Sequence, residues 1–233
     1  MHRESEKMRV VIQCAASKSH KAGYLQDNSG RNVNFVALPI EAPKSSTQVY
    51  AHPDDKFEGM TWRERLIAYN AESKNPLNLL PAYQLYSNPA YGDLVDALGS
   101  DKVYILSAGW GLLSADFLTP YYDITFSNSA EKYKRRSKRD RYNDINQLDN
   151  NLDEDVVFFG GKDYLLLFCE LTSTYKGKRF IYSSSVQNPK VDACRVLRYE
   201  TTTRTNWHYE CVREFIRTNM KLSDLSKSNS LGI

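Results

Sequence analysis

Residues 102–111 read KVYILSAGWG. Lys102 to Ser107 is a short apolar run rich in β-formers, and it stops at Ala108-Gly109-Trp110-Gly111. Three further runs have the same plan. RVVIQC (9–14) runs into Ala15-Ala16-Ser17-Lys18, DVVFF (155–159) into Gly160-Gly161-Lys162, and RFIY (179–182) into Ser183-Ser184-Ser185. Helical stretches separate them. Thr61 opens one, with Glu64 three residues on as a capping box. Pro89 stands at the first position of a second, which reaches Leu98. Others are expected over Asp163–Leu171 and Asn206–Met220. Apolar runs alternating with helices predict an α/β fold with a parallel sheet. The expectation is a single three-layer domain over residues 1–222, around a central, mostly parallel sheet of four to five strands. Asn32 to Leu38 reads as a further strand, residues 39–59 as a long loop insertion, and residues 223–233 as a flexible Ser-rich tail. In open α/β sheets ligands bind beyond the carboxyl ends of the strands. The four strand ends should therefore line one crevice.

Composition narrows the class. The chain has 233 residues, 41% apolar and 25% charged, which excludes global disorder and a coiled coil. No apolar run approaches the ~20 residues of a membrane helix. Met1 to Met8 is polar and charged, unlike a secretory signal. Cys14, Cys169, Cys194 and Cys211 form no CxxC pair, and the four histidines lack metal-ligand spacing, so no metal and no cofactor is expected. Reduced thiols suit a cytoplasmic location. Net charge is +3, yet Glu131 to Tyr142 (EKYKRRSKRDRY) alone carries +5, leaving −2 over the other 221 residues. This segment is expected as a basic helix over 129–147 that meets an anionic partner, nucleic acid before membrane. The alternative is a solvated helix face with i,i+4 pairs such as Glu131–Arg135.

Ile105 to Thr125, ILSAGWGLLSADFLTPYYDIT, is the most distinctive stretch. Glycines at 109 and 111 let backbone approach a ligand closely, and Trp110 between them could stack on a planar base. Asp123, beside Tyr121 and Tyr122, is a carboxylate among aromatics, suited to general-base or cation-stabilising work. Trp110 is equally readable as core and Asp123 as a turn residue. Gly160-Gly161-Lys162-Asp163 opens a helix without P-loop spacing, and its amides could bind an anion. Cys14, with Lys18 four residues on, reads as a packed thiol more readily than a nucleophile. His208 reads as a packing residue.

ILSAGWGLL followed by TPYYDIT resembles YaaA-like peroxide-stress proteins and related small bacterial domains, as do LYSNPAY (85–91) and the first strand end, Cys14 to Lys18. The matched pieces span under a third of the chain. These families are similar in layout to the uracil-DNA-glycosylase-like α/β fold. The resemblance implies loops that grip DNA and hold a flipped base, with a water-activating motif after the first strand (here Gln13 to Lys18) and a phosphate-pinching loop after a late one (here Ser183 to Pro189). The late loop has no histidine and no acid closely follows the first strand, so Asp123 or Asp163 would have to supply the carboxylate.

Together these readings lead to a DNA-acting enzyme, a glycosylase that hydrolyses the N-glycosidic bond of a flipped, damaged or modified base. The expected catalytic groups are Asp123, Lys18 and Ser17. The base would be held by Trp110, Tyr122, Ser107, Gly109, Gly111 and Gln13. Phosphates would meet Lys134, Arg135, Arg136, Lys138, Arg139, Lys162, Ser183 and Ser184. The alternatives are a non-catalytic DNA-binding stress protein and an enzyme on free nucleotides or nucleosides.

Overall fold

The structure is a computed structural model and describes residues 8–187 and 189–227. The ends of the expected domain and tail, residues 1–7 and 228–233, lie outside the described residues, as does Asn188. Eight strands form one sheet: β1 (Met8–Gln13), β2 (Val103–Ser107), β3 (Gly111–Ser114), β4 (Ile145–Asn146), β5 (Asp155–Phe159), β6 (Arg179–Ser183), β7 (Cys194–Glu200) and β8 (Leu225–Ser226). Their order is β4-β3-β2-β1-β5-β6-β7-β8. Every neighbouring pair is parallel except β2 and β3, which form an antiparallel hairpin. The sheet is thus mixed and larger than the four to five strands expected. The additional strands are short or half-exposed (β3, β4, β7, β8), so they lack the continuous apolar run of a central parallel strand.

Among the described residues five helices accompany the sheet: α1 (Trp62–Ala71), α2 (Ala82–Leu85), α3 (Ala90–Leu98), α4 (Leu165–Leu171) and α5 (Trp207–Arg217). Side chains of adjacent strand residues point to opposite faces. Phe158 stacks on Phe168 of α4 at 4.7 Å, while Phe159 meets Phe215 of α5 at 5.1 Å. Helix α4 therefore covers one face and α5 the other. Tyr91 of α3 and Tyr209 of α5 join hydroxyls at 3.1 Å, which places α3 beside α5. The capping box read at Thr61 and Glu64 is present in full at the start of α1.

Three expectations are corrected. Residues 39–59 are not a bare loop. They hold a turn at Pro39–Glu41, a strand at Gln48–Ala51 paired with Asn32–Phe35, and the first strand of a small hairpin, Lys56–Phe57 with Met60–Thr61. Residues 129–147 are not a helix: they hold one 3-10 turn (Lys132–Lys134), irregular backbone and β4. Charge periodicity resembled a helix face, but Arg136 is buried and pinned to other parts of the chain, which overrides local propensity. The residues 223–233 expected as a tail also contribute β8, and Tyr182 on β6 donates to the Ser223 carbonyl at 2.9 Å.

Candidate functional site

Strand β1 has β2 on one side and β5 on the other, so the winding direction reverses between β1 and β5. At such a switch point the connections leave in opposite directions and a crevice opens beyond the carboxyl ends. One is present, about 1290 Å³ in volume. Its floor is Gln13 to Ser17 after β1, Gly160 to Tyr164 after β5, and Ser183 to Ser185 after β6. Its walls are Ser87 to Pro89 before α3, Arg204 to Tyr209 around the start of α5, and the turn Ser127 to Ser129. Three of the four expected strand ends thus converge.

The fourth, Ser107 to Gly111, does not. It is the turn of the β2–β3 hairpin, and Trp110 is wholly buried, packed edge-on against Phe35 at 4.8 Å and Tyr122 at 6.4 Å. Trp110 therefore cannot stack on a ligand. Gly109 and Gly111 serve packing instead. A Cβ on Gly109 would stand 2.9 Å from the Tyr122 ring, and Gly111, at φ +100°, lies so close to the backbone of β4 that a Cβ would meet the Ile145 oxygen at 2.3 Å. Ser107 is buried too. Its hydroxyl accepts the Gly109 and Trp110 amides and donates to the Tyr122 hydroxyl at 2.8 Å, and that hydroxyl in turn lies 2.8 Å from the Tyr86 hydroxyl. Tyr122, expected as a stacking wall, is a fully buried phenol that burial holds neutral, far above the ordinary tyrosine range.

Asp123 sits outside the crevice. Its carboxylate accepts from Asn34 at 3.2 Å, and the Lys134 ammonium lies 3.7 Å away. Lys18 belongs to this neighbouring cluster, its ammonium 4.2 Å from the centre of the Tyr122 ring. Burial pushes that ammonium below the ordinary lysine range, against the pull of Cys14 and Asp123. So Asp123 and Lys18 do come together, apart from the crevice that Ser17 and Gln13 line.

Inside the crevice the polar groups are oriented by their own bonds. Gln13 accepts the Gly161 amide on Oε1 at 2.6 Å, which turns its NH₂ group free to donate. Asn88 does the same through the Ala90 amide at 3.0 Å. Cys14 Sγ, at the floor, is 3.1 Å from the Tyr164 hydroxyl. Among the described lining residues Asp163 is the sole carboxylate, with Lys162 and Arg204 as cations. Asp163 is 42% exposed and pairs with Lys138 at 2.6 Å. Ser183 is buried and accepts the Ser185 amide at 3.2 Å; Ser184 is half-buried beside it. His208 also lines the crevice. It is 3% exposed, its Nε2 has no partner, and burial pushes it down to about 4, so it is neutral at pH 7.

The basic segment is largely compensated internally. Lys134 pairs with Glu131, Arg136 with Asp144, Lys138 with Asp163 and Arg141 with Glu170, each within 2.7 Å. Arg136 is a structural group, its guanidinium bidentate to Asp144 and donating to the Ala108 carbonyl at 2.9 Å. It cannot serve as a phosphate contact. Arg135, Arg139 and Lys162 make no ion pair among the described residues. Sequence reasoning missed Asn88, Arg204, Asn206 and Tyr209. Their signal was the helix starts themselves, because helices flanking a parallel sheet bring their N-termini to its carboxyl edge.

No group of three or more His, Cys, Asp or Glu is placed to hold a metal among the described residues, and no described helix is long and apolar enough to cross a membrane. The chain matches no protein-family model, no curated protein and no solved structure, so its functional reading rests on this crevice.

Proposed function

We propose that the protein is an N-glycosyl hydrolase acting on a base of DNA, with Asp163 rather than Asp123 as its carboxylate. One observation carries the reading: the crevice at the sheet's switch point is lined by aromatic rings and fixed amides and contains Asp163 as its single described acid. Cleaving an N-glycosidic bond builds positive charge on the sugar, which a carboxylate stabilises or meets with an activated water. The departing base gains negative charge, which Lys162 and the amide groups of Gln13 and Asn88 are placed to receive. Phe126 and Tyr164, edge to face at 4.9 Å, offer an apolar wall for the base. Volume favours a polymer substrate. Small-molecule sites occupy ~300–1,000 Å³, and the 1290 Å³ here leaves room for a flipped nucleotide with its flanking backbone.

A second reading, hydrolysis of free nucleotides or nucleosides, is favoured by the internal pairing of the basic segment, which leaves few cations for a duplex. The deciding assay incubates the protein with duplexes carrying normal, damaged and hypermodified bases, cuts abasic sites with alkali, and runs free nucleosides in parallel. Asp163→Asn should lower turnover roughly 10²–10⁴-fold with binding retained, and Asp123→Asn should leave it near wild type. Full activity in Asp163→Asn would remove the assigned carboxylate. Base release from nucleosides alone would select the second reading. DNA binding without any base release would leave a binding protein.

A further inference from the structure

One end of the crevice is left idle by the hydrolytic reading. Helix α5 starts on its wall, and Trp207, His208 and Tyr209 all line it. The first amides of a helix have no partner inside the helix, and the aligned peptide dipoles make that end positive. The N-cap residue of α5, Asn206, makes no side-chain capping bond. Asn206 is left-handed, at φ 59°, and the right-handed helix follows directly. Successive N–H groups across such a step converge on one concave point. The Tyr209 amide is committed to the Asn206 carbonyl at 3.1 Å, which leaves those of Trp207 and His208 without a hydrogen bond among the described residues.

Side chains point to the same end. His208 is 3% exposed, and its Nε2 is buried without a hydrogen-bond partner. Burial keeps the ring neutral at pH 7, so one of its nitrogens carries a proton to donate. The neighbouring loop adds charge. Thr203 donates to the Glu210 carboxylate at 3.0 Å, which fastens residues 201–205 beside the first turn of α5. Glu210 is thereby held by Thr201, Thr203 and Lys227, and it does not line the crevice. Arg204 does line it, is exposed, and makes no ion pair among the described residues. Asp163, the single described acid of the crevice, is taken by Lys138 at 2.6 Å. We propose that this end of the crevice is a phosphate seat, in which the Trp207 and His208 amides and the His208 ring donate to phosphate oxygens and Arg204 supplies the charge. A tetrahedral phosphate presents oxygens in enough directions to meet amides, ring and guanidinium together, and a planar carboxylate does not. The seat moves the phosphate contact from the basic segment, whose Lys134, Arg136 and Lys138 are internally paired, to α5.

This inference rests on the reading of the crevice as a nucleotide site, and its test is binding rather than turnover. Titration calorimetry uses the full chain with deoxynucleoside 5′-monophosphates, the matching nucleosides and a short single-stranded DNA. In wild type a monophosphate should bind roughly 10–100-fold tighter than its nucleoside. Arg204→Met, at an exposed position, should remove most of that ratio and leave nucleoside affinity unchanged. His208→Phe should weaken the monophosphate about 10-fold. Because His208 is buried, a second measurement needs no variant there: in ¹⁵N spectra of wild type, inorganic phosphate should shift the Trp207 and His208 amides and the His208 ring. A single strand that binds tighter than the monophosphate, with the same dependence on Arg204, identifies a backbone diester. The reverse order identifies a terminal phosphate, and either result supports the seat. Equal affinity for monophosphate and nucleoside, no measurable binding of any phosphate probe, Arg204→Met binding phosphate as wild type does, or shifts confined to Gly161 and Lys162 would overturn the proposal. Full turnover in Asp163→Asn would remove the assigned carboxylate and leave these binding ratios untouched, so the two readings fail separately.

Discussion

Replacing Arg136 by methionine keeps the length and apolar stem of the side chain and deletes its charge. In the native protein the guanidinium makes two bonds to Asp144, at 2.9 and 2.6 Å, one to the Ala108 carbonyl, and lies 3.8 Å from the centre of the Tyr142 ring. The Asp144 side chain is only 6% exposed, so the variant strands a carboxylate in the interior, with Arg63 as its nearest remaining cation at 4.0 Å. Removing one member of a buried pair costs ~3–5 kcal/mol, mostly for the charge left behind. With a urea slope of ~2 kcal/mol/M the midpoint falls by about 2 M. Removing both members, as Arg136→Met with Asp144→Leu, should recover most of that loss, because Arg63 keeps Asp54 as its partner. Urea unfolding of the two variants beside wild type measures this directly. A single variant within 1 kcal/mol of wild type, or a double variant no better than the single one, would refute the assignment of Arg136 to the core. A pure phosphate contact would show the opposite pattern, unchanged unfolding and weakened DNA binding.

Acid should destabilise the fold through His208. Its folded-state value near 4 lies below the ordinary 6.5, so the unfolded chain binds more protons between those values and stability falls as pH drops through that window. Going from pH 7 to pH 5 should cost about 2 kcal/mol. His208→Gln should flatten the profile, and an unflattened one would place the acid sensitivity elsewhere. Gly111→Ala should lose about 2 kcal/mol or more by thermal unfolding, because a Cβ there meets β4 backbone at a positive φ. Gly92→Ala, in α3 with open space around it, should gain up to about 1 kcal/mol; equal effects at the two positions would contradict the packing described for the hairpin turn.

The sequence by itself determined the class of the protein. The apolar runs of β1, β2, β5 and β6 are buried on both faces, and continuous β-rich runs broken by small residues are what such strands require. The capping box of α1 and the proline ahead of α3 were legible because caps are local chemistry. So were Ser17, Gln13, Lys162 and Ser183 as crevice residues, since a strand's carboxyl end is known once the strand is. Tertiary structure alone decided the rest. Whether Trp110 faced ligand or core turned on β3 folding back along β2, and a four-residue strand leaves no periodic trace. Whether Arg136 met phosphate or protein turned on Asp144, a partner eight residues away across irregular backbone. That Asp163 lines the crevice and Asp123 does not turned on which loops converge beyond the strand ends. Side-chain identity is written in the chain, but the partner that sets its role is fixed by long-range packing.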